Sequence, residues 1–307
     1  MTSNELVEPF SKLLEDICSP QAIRGIDHGG NTSAMWQGFL NSGFLDALVD
    51  ESAGGAGLSL TETAPLLALL GRHAVPLPVG ETMIARALLT RAGAVGPDGP
   101  IAIITGANFT PCAAVASHFL TGSPSAPCLS EANMASTGLI GEAVAAVARG
   151  SGEALRPIAA VLRALLISGA ADRVMEMTVA YANERIQFGK AIGKQQVIQQ
   201  QLAVLAEQAV AARIAAAIGA RGGLEPNPFD AAVAKHGASL AAAQVAVIAH
   251  AVHGAIGISE EYDLQLLTRR LHEWRIADGS ESYWAEKLGA LRVAKSSMTT
   301  VEFIRAA

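Results

Sequence analysis

The sequence contains few of the residues that mark disulfide-bonded or nucleic-acid-binding proteins. Only three cysteines occur in 307 residues, and none of them forms a Cys-x-x-Cys pair. This spacing gives no disulfide framework and is typical of a protein from a reducing cytoplasm. The formal net charge is -6 and the pI is near 5.7. An acidic balance of this kind disfavours nucleic acid or an anionic membrane surface as the main partner.

Signals for export and for membrane insertion are also missing. The N-terminus has no basic region followed by an apolar run, so we expect no signal peptide. The most membrane-like stretch, residues 231–258, contains Lys235, His236, His250 and His253. We therefore expect a buried bundle helix there, no membrane span, and a cytoplasmic protein.

Several catalytic motifs are absent. The chain has no Gly-x-Gly-x-x-Gly after a strand, no phosphate-binding Gly-x-x-x-x-Gly-Lys-Ser/Thr, no His-Glu-x-x-His and no Gly-x-Ser-x-Gly. His250 and His253 have the three-residue spacing of metal ligands on a helix, but no carboxylate or cysteine stands beside them. We therefore expect packed or hydrogen-bonded histidines and no metal site.

The composition that remains predicts a mainly α-helical fold. Half of the residues are hydrophobic, only 5% are aromatic, and alanine dominates the second half, which indicates helices packed closely through small side chains. We predict a helical N-terminal domain over 1–95 and a short β region over 96–152, with candidate strands at 101–105, 114–120 and 143–148. A C-terminal four-helix bundle is predicted over 153–307, with long helices at 155–184, 195–221, 229–253 and 281–304 and a shorter one at 261–275.

A polar segment, residues 182–196, interrupts the bundle pattern between its first two helices. It carries Arg185, the amides of Gln187 and Gln196, and the aromatic Phe188 beside a glycine. An arginine with several amides and an aromatic ring can hold a phosphate and an extended cofactor. The alternative is a plain loop with a surface arginine. We name this segment the elbow.

A second polar constellation lies near the C-terminus. Gly254 and Gly257 permit the backbone to approach a ligand closely. Further on, Asp278-Gly279-Ser280 precedes the last predicted helix, which Ser280 can cap. Asp278 is then either a functional carboxylate or an ordinary turn residue.

The order of the three regions, the elbow and the C-terminal constellation together resemble the acyl-CoA dehydrogenases. The matching elbow pattern is Arg185-x-Gln187-Phe188-Gly189-Lys190-x-Ile192-x-x-x-Gln196, and the C-terminal match continues through Glu261-Tyr262, Arg269 and Asp278-Gly279-Ser280. Residues 50–61 look like the N-terminal turn of that family. The resemblance covers nearly the whole chain.

The resemblance implies an FAD-dependent oxidoreductase of lipid metabolism, a flavoprotein that introduces an α,β double bond into an acyl-CoA thioester. By this likeness the elbow binds the FAD of a neighbouring subunit, and the family's base position falls on Asp278. The remaining cofactor contacts implied are Arg185 at the pyrophosphate, Gln187 and Phe188 along the nucleotide, Gln196 toward the adenine, Gly254 and Gly257 beside the cofactor, and Ser280. An electron-transfer flavoprotein is the implied electron acceptor, and a cofactor that spans an interface implies an oligomer.

Departures from the family pattern point to a particular subclass. Ala251 and Ala255 replace a glutamine and a glycine, and Asp278 is one methylene shorter than the usual glutamate. The other base position of the family falls near Ala159 and Ala160. The β region is much shorter than the family's and lacks its Thr-Glu-Pro-x-Ala-Gly-Ser-Asp-like segment.

These features are similar to those of the short subunits of heteromeric (α2β2) bacterial acyl-CoA dehydrogenases of steroid side-chain degradation. The likeness implies a hetero-oligomer in which a longer homologue holds the flavin ring. Two alternatives stay open: a self-sufficient homo-oligomer with Asp278 as its base, and a non-catalytic scaffold that stabilises a catalytic partner.

Overall fold

The computed structural model describes residues 3–106, 109–132, 152–295 and 297–305. Five helices form the N-terminal part: α1 Ser3–Ile17, α2 Pro20–Asp27, α3 Ser33–Ser42, α4 Leu60–Arg72 and α5 Val79–Arg91. Helix α4 begins with a capping box, because the Ser59 hydroxyl accepts the Glu62 backbone N–H while the Glu62 carboxylate accepts that of Ser59. Helix α3 begins with Ser33, and Thr32 before it makes no side-chain cap.

A three-stranded sheet follows, formed by β1 Ile101–Ile103, β2 His118–Ser123 and β3 Ala126–Glu131. Strand β1 lies parallel to β2, and β2 forms an antiparallel hairpin with β3. The strand predicted at 101–105 is therefore confirmed, whereas the one predicted at 114–120 begins only at His118 because residues 113–115 form a 3-10 turn. The candidate strand at 143–148 lies outside the described residues.

The C-terminal part is a helical bundle. Its helices are α6 Arg156–Glu184, α7 Gln196–Ala220, α8 Pro228–His253, α9 Leu264–Ile276, α10 Glu281–Ala294 and α11 Thr300–Arg305. Three of them are long, and α9 with α10 completes the bundle. The predicted helix at 281–304 is thus shorter than expected, because α10 ends at Ala294.

Helix α6 connects the bundle to the N-terminal helices by direct backbone contact with α4. A Cβ atom on Gly169 would lie 1.7 Å from the Ala68 carbonyl oxygen, and one on Gly71 would lie 1.9 Å from that of Leu166. Only glycine permits this approach. Residues 158–171 of α6 are buried throughout, so this helix is the axis of the molecule.

Three helical stretches are long and apolar enough to cross a membrane by length and composition, namely 153–184, 196–220 and 228–258. In the fold they pack side by side. The first is 83% buried over its most apolar window, whereas the windows of the other two are only 33% and 44% buried. Helices α7 and α8 therefore leave apolar faces uncovered within the described part of the chain.

Candidate functional site

The elbow folds into a two-residue hairpin at the end of α6. Strands β4 Ile186–Gln187 and β5 Lys190–Ala191 pair antiparallel, with Gln187 opposite Lys190. Phe188 and Gly189 lie between them, with φ of +53° and +75°. Positive φ at both central residues is the backbone of a type I′ turn, which matches strand twist. A phenylalanine seldom adopts this conformation, and such strained residues cluster at functional sites.

The hairpin presents its side chains to solvent. All residues from Asn183 to Lys190 are exposed, and Phe188 is 94% exposed. Within the described ranges of the chain, Arg185 makes no ion pair. Gln196 begins α7 and is exposed as well. The elbow therefore offers a cation, amides and an apolar ring with no occupant from its own fold.

The glycine turn at residues 254–258 begins where α8 ends. Gly254 adopts φ +66° and ψ −145°, a conformation that essentially only glycine reaches, and the space beside its Cα is open. Gly257 is tightly packed, because a Cβ there would lie 3.0 Å from the His253 side chain. Gly254 thus leaves room for a ligand to approach, whereas Gly257 serves the packing of the turn.

Tyr181 connects this glycine turn to the elbow. Its ring stacks on that of His253 at 4.4 Å with 24° between the planes, and its hydroxyl donates to the His253 carbonyl at 3.3 Å. Tyr262 packs against the same imidazole at 5.1 Å. The predicted contacts at Arg185 and Gly254 are therefore brought together by one aromatic cluster. The expectation that His250 and His253 are not metal ligands stays a prediction. The hydrogen-bonded state expected for His253 agrees with its Nδ1 atom lying 2.8 Å from the Ala249 carbonyl oxygen.

The Asp278 carboxylate is buried and fully engaged. The residue is 2% exposed; its Oδ1 accepts from the Thr105 hydroxyl at 2.7 Å, and its Oδ2 accepts from Arg163 Nε at 2.9 Å. Arg163 also donates to the Glu81 carboxylate at 2.5 Å, and the Arg163 and Glu81 side chains are both buried. Burial opposes the charge of Arg163, but Glu81 and Asp278 outweigh it and raise the pKa of the guanidinium.

A second buried cation fastens the same turn. Lys235 is 0% exposed, and its Nζ donates to the carbonyls of Arg275 and Gly279 and to the Ser239 hydroxyl, at 2.7, 2.8 and 2.9 Å. Burial lowers the pKa of Lys235 to about 7. Glu81, Arg163, Lys235 and Asp278 form what we name the charge cluster, with two charges of each sign.

Ser280 lies beside this cluster as the N-cap of α10, where its hydroxyl accepts the Tyr283 backbone N–H at 3.4 Å. The expected cap is confirmed. The predicted site residues thus fall into two sets with different neighbours. Arg185, Gln187, Phe188 and Gly254 belong to the exposed elbow and glycine turn, whereas Asp278 and Ser280 belong to a buried turn held by Thr105, Arg163 and Lys235.

The donor set suits a dinucleotide cofactor at the elbow. An unpaired arginine, neighbouring amides and an open glycine backbone are groups that bind a pyrophosphate, and an exposed aromatic ring packs on an apolar or planar group. The buried turn offers a different chemistry. The Asp278 carboxylate is 2% exposed, so a substrate at the surface of this chain does not come within the hydrogen-bond reach that a general base needs.

Sequence reasoning missed the charge cluster and the role of Tyr181. A signal existed for the cations, since Arg163 and Lys235 interrupt apolar helical runs and long charged side chains are seldom buried without partners. Nothing local identifies their partners. Tyr181 carries no comparable signal, because an aromatic near a helix end is ordinary.

Solved structures place the fold in one class. The chain superposes on a chain of the ChsE4-ChsE5 complex from Mycobacterium tuberculosis with a TM-score of 0.73 and 21% identity, covering 95% of this chain and 97% of that one. A chain described as Tcur3481-Tcur3483 steroid ACAD G363A variant gives a TM-score of 0.76 at 21% identity, covering 96% and 99%. The fold is that of the acyl-CoA dehydrogenases.

Sequence comparisons agree with this class. Residues 158–290 match the family model for the acyl-CoA dehydrogenase C-terminal domain. The chain is 29% identical over 286 residues to the acyl-CoA dehydrogenase IpdE2 of Mycolicibacterium smegmatis, covering 87% of this chain and 91% of the relative. Residues 158–290 therefore carry an acyl-CoA dehydrogenase C-terminal domain, and most of the chain is similar to an acyl-CoA dehydrogenase of about its own length. The enzyme class is that of FAD-dependent oxidoreductases acting on CH–CH bonds.

Proposed function

We propose that this chain is the FAD-clamping subunit of a hetero-oligomeric acyl-CoA dehydrogenase that desaturates a bulky, steroid-type acyl-CoA. The observation that carries the proposal is the elbow. Arg185, Gln187 and Phe188 are exposed on a strained hairpin, although they are the groups that suit a cofactor. Side chains arranged in this way bind tightly only if a second chain supplies the remaining wall of the pocket.

The uncovered faces of α7 and α8 support a protein partner. On α8 the exposed stripe carries no charge and includes Leu240, Val247 and Ala251, with Val247 64% exposed. On α7 the exposed surface includes Val204, Val210 and Ile214 and two charged residues, Glu207 and Arg213. Contiguous apolar surface of this kind marks interaction sites.

The occupant we propose for these faces is a longer acyl-CoA dehydrogenase homologue and not a lipid bilayer. A carboxylate such as that of Glu207 is costly in hydrocarbon but tolerated in a protein interface that retains water. One structural neighbour is described as the ChsE4-ChsE5 complex from Mycobacterium tuberculosis, and the description of another carries two names, Tcur3481-Tcur3483. A cytoplasmic location follows from this proposal.

The catalytic base is the next element of the proposal. Asp278 stays the only sequence-predicted base, but both its oxygens are bound and it is 2% exposed. Ala159 and Ala160, at the alternative position, carry no ionisable group. We therefore assign the working base to the longer partner and the role of counter-ion for Arg163 to Asp278.

The residues of this chain would bind and orient the cofactor. Arg185 would neutralise a phosphate, Gln187 and Gln196 would donate amide hydrogen bonds, and Phe188 would exclude water from the nucleotide. Gly254 and Gly257 would let the cofactor lie against the backbone, with Ser280 nearby. The bound FAD would supply hydride acceptance during the desaturation, and an electron-transfer flavoprotein would then take the electrons.

The substrate class in this proposal comes from the relatives. One structural neighbour is described as a steroid ACAD, and a bulky acyl-CoA is the corresponding substrate for this chain. The test is Arg185→Ala in the complex with a co-expressed longer homologue. We expect FAD affinity to fall on the order of 10- to 100-fold, because a charge-assisted phosphate contact is lost.

Arg91→Ala is the matched control, since Arg91 is an exposed arginine on α5 outside the elbow. The control should bind FAD as the wild type does. Unchanged FAD occupancy and activity in Arg185→Ala would contradict the clamp and favour a scaffold role. If this chain does not assemble with the longer homologue in buffer but binds to lipid vesicles, the exposed faces of α7 and α8 are a membrane contact instead.

A further inference from the structure

Tyr181 touches both segments that the proposed function assigns to the cofactor. Its carbonyl oxygen accepts the Arg185 backbone N–H at 2.9 Å, at the last turn of α6. Its hydroxyl donates to the carbonyl of His253 at 3.3 Å, and Gly254 is the next residue. One side chain and its own backbone therefore connect the elbow with the start of the glycine turn.

The imidazole of His253 provides a rigid and uncharged surface for this connection. The residue is 4% exposed, and the Ala249 carbonyl at 2.8 Å can only accept, which places the proton on Nδ1. Burial lowers the pKa of His253, against the opposing effect of that hydrogen bond. Tyr181 stacks on one part of this neutral ring, and Tyr262 packs against it at 5.1 Å and 50°.

The elbow has few other attachments. Its residues 183–190 are all exposed, and behind them the buried Ile192 donates its N–H to the Arg185 carbonyl at 2.9 Å. A ligand that contacts two separate segments binds tightly only when their spacing is fixed beforehand, because ordering them during binding costs conformational entropy. Tyr181 fixes this spacing from the inner side.

We infer that Tyr181 is a positioning residue of the FAD clamp, which holds the elbow and the Gly254 turn in register so that both meet one cofactor. This inference rests on the proposed function. It assigns no contact between Tyr181 and FAD. The ring and hydroxyl act on His253, and the backbone carbonyl of the same residue holds the Arg185 N–H.

The experiment uses the complex of this chain with its longer homologue, stripped of flavin and titrated with FAD while flavin fluorescence is recorded. Tyr181→Leu removes the stack and the hydroxyl, and we expect FAD to bind about 3- to 10-fold more weakly. Tyr181→Phe keeps the ring and loses only a long hydrogen bond, so we expect a change of about 2-fold. This milder variant keeps the test available if the leucine variant folds poorly.

Phe229→Leu is the control for a purely structural role. Phe229 packs edge-to-face on Phe303 at 5.3 Å, a comparable aromatic contact outside the clamp. The Phe229→Leu substitution should lower the melting temperature of the complex and leave its FAD affinity unchanged. Equal FAD weakening by Phe229→Leu and Tyr181→Leu would overturn the positioning role.

A double-mutant cycle separates positioning from simple contact. Arg185→Ala and Tyr181→Leu are made singly and together, and we expect their effects on FAD affinity to be less than additive, because Tyr181 acts through the position of the elbow. If Arg185→Ala weakens FAD while Tyr181→Leu does not, this inference fails and the clamp stands. If Arg185→Ala itself leaves FAD affinity unchanged, the proposed function fails, and the inference fails with it.

Discussion

Replacing Arg163 by methionine should destabilise this protein far more than replacing an exposed arginine. Arg163 is buried between Glu81 and Asp278, whose side chains are each 3% exposed. Methionine fills a similar volume but leaves two carboxylates without their cation. Removing one member of a buried ion cluster costs about 3–5 kcal/mol, because the remaining charges stay desolvated. For a chain of this size that corresponds to a fall of about 5–8 °C in melting temperature.

The matched control is Arg72→Met. Arg72 donates to both oxygens of Glu176 at 2.8 and 2.6 Å, but the two side chains are 32% and 43% exposed. Such a pair contributes about 0–1 kcal/mol. Thermal unfolding followed by circular dichroism compares the two variants with the wild type. Equal melting temperatures for Arg163→Met and Arg72→Met would refute the reasoning that the cluster is a buried, mutually compensated unit.

Three further predictions concern the base, the interface and pH. Asp278→Asn, assayed in the complex, should change turnover by less than about threefold if the base is on the partner, whereas a loss of a hundredfold or more would make Asp278 the base. Val247→Glu should prevent co-elution of the two chains in size-exclusion chromatography, because it buries a charge in an apolar face, while Val293→Glu, at an exposed valine on α10, should not. Burial lowers the pKa of Lys235 to about 7, so the unfolded chain binds more protons between about pH 7 and 10 and the Lys235 contribution makes stability rise with pH there. Urea unfolding at pH 7 and pH 9 should show a smaller rise in Lys235→Met, and an equal rise would contradict the assignment.

Much of the fold could be predicted from local pattern. The apolar periodicity of α6 and the breaks around it predict its bounds to within a residue. The elbow residues are also readable, because arginine, amides and an aromatic beside a glycine form a compact motif. These features depend on neighbours in sequence.

The parts that escaped prediction depend on distant partners. Arg163 meets Glu81 across 82 residues and Asp278 across 115, and no local signal in the chain pairs them. The assignment of Asp278 as a base followed from its position in a motif, whereas its hydrogen bonds follow from the packing of α5 and α6 and from Thr105, which lies two residues beyond β1. The link through Tyr181 likewise depends on how α6 and α8 end side by side.

The visible absorption spectrum tests the composite cofactor site most directly. The chain is purified once alone and once after co-expression with a longer acyl-CoA dehydrogenase homologue. The account predicts flavin bands only in the co-purified complex, because the elbow supplies one wall of the pocket and the partner supplies the other. Flavin bands in the chain purified alone, at full occupancy, would contradict it.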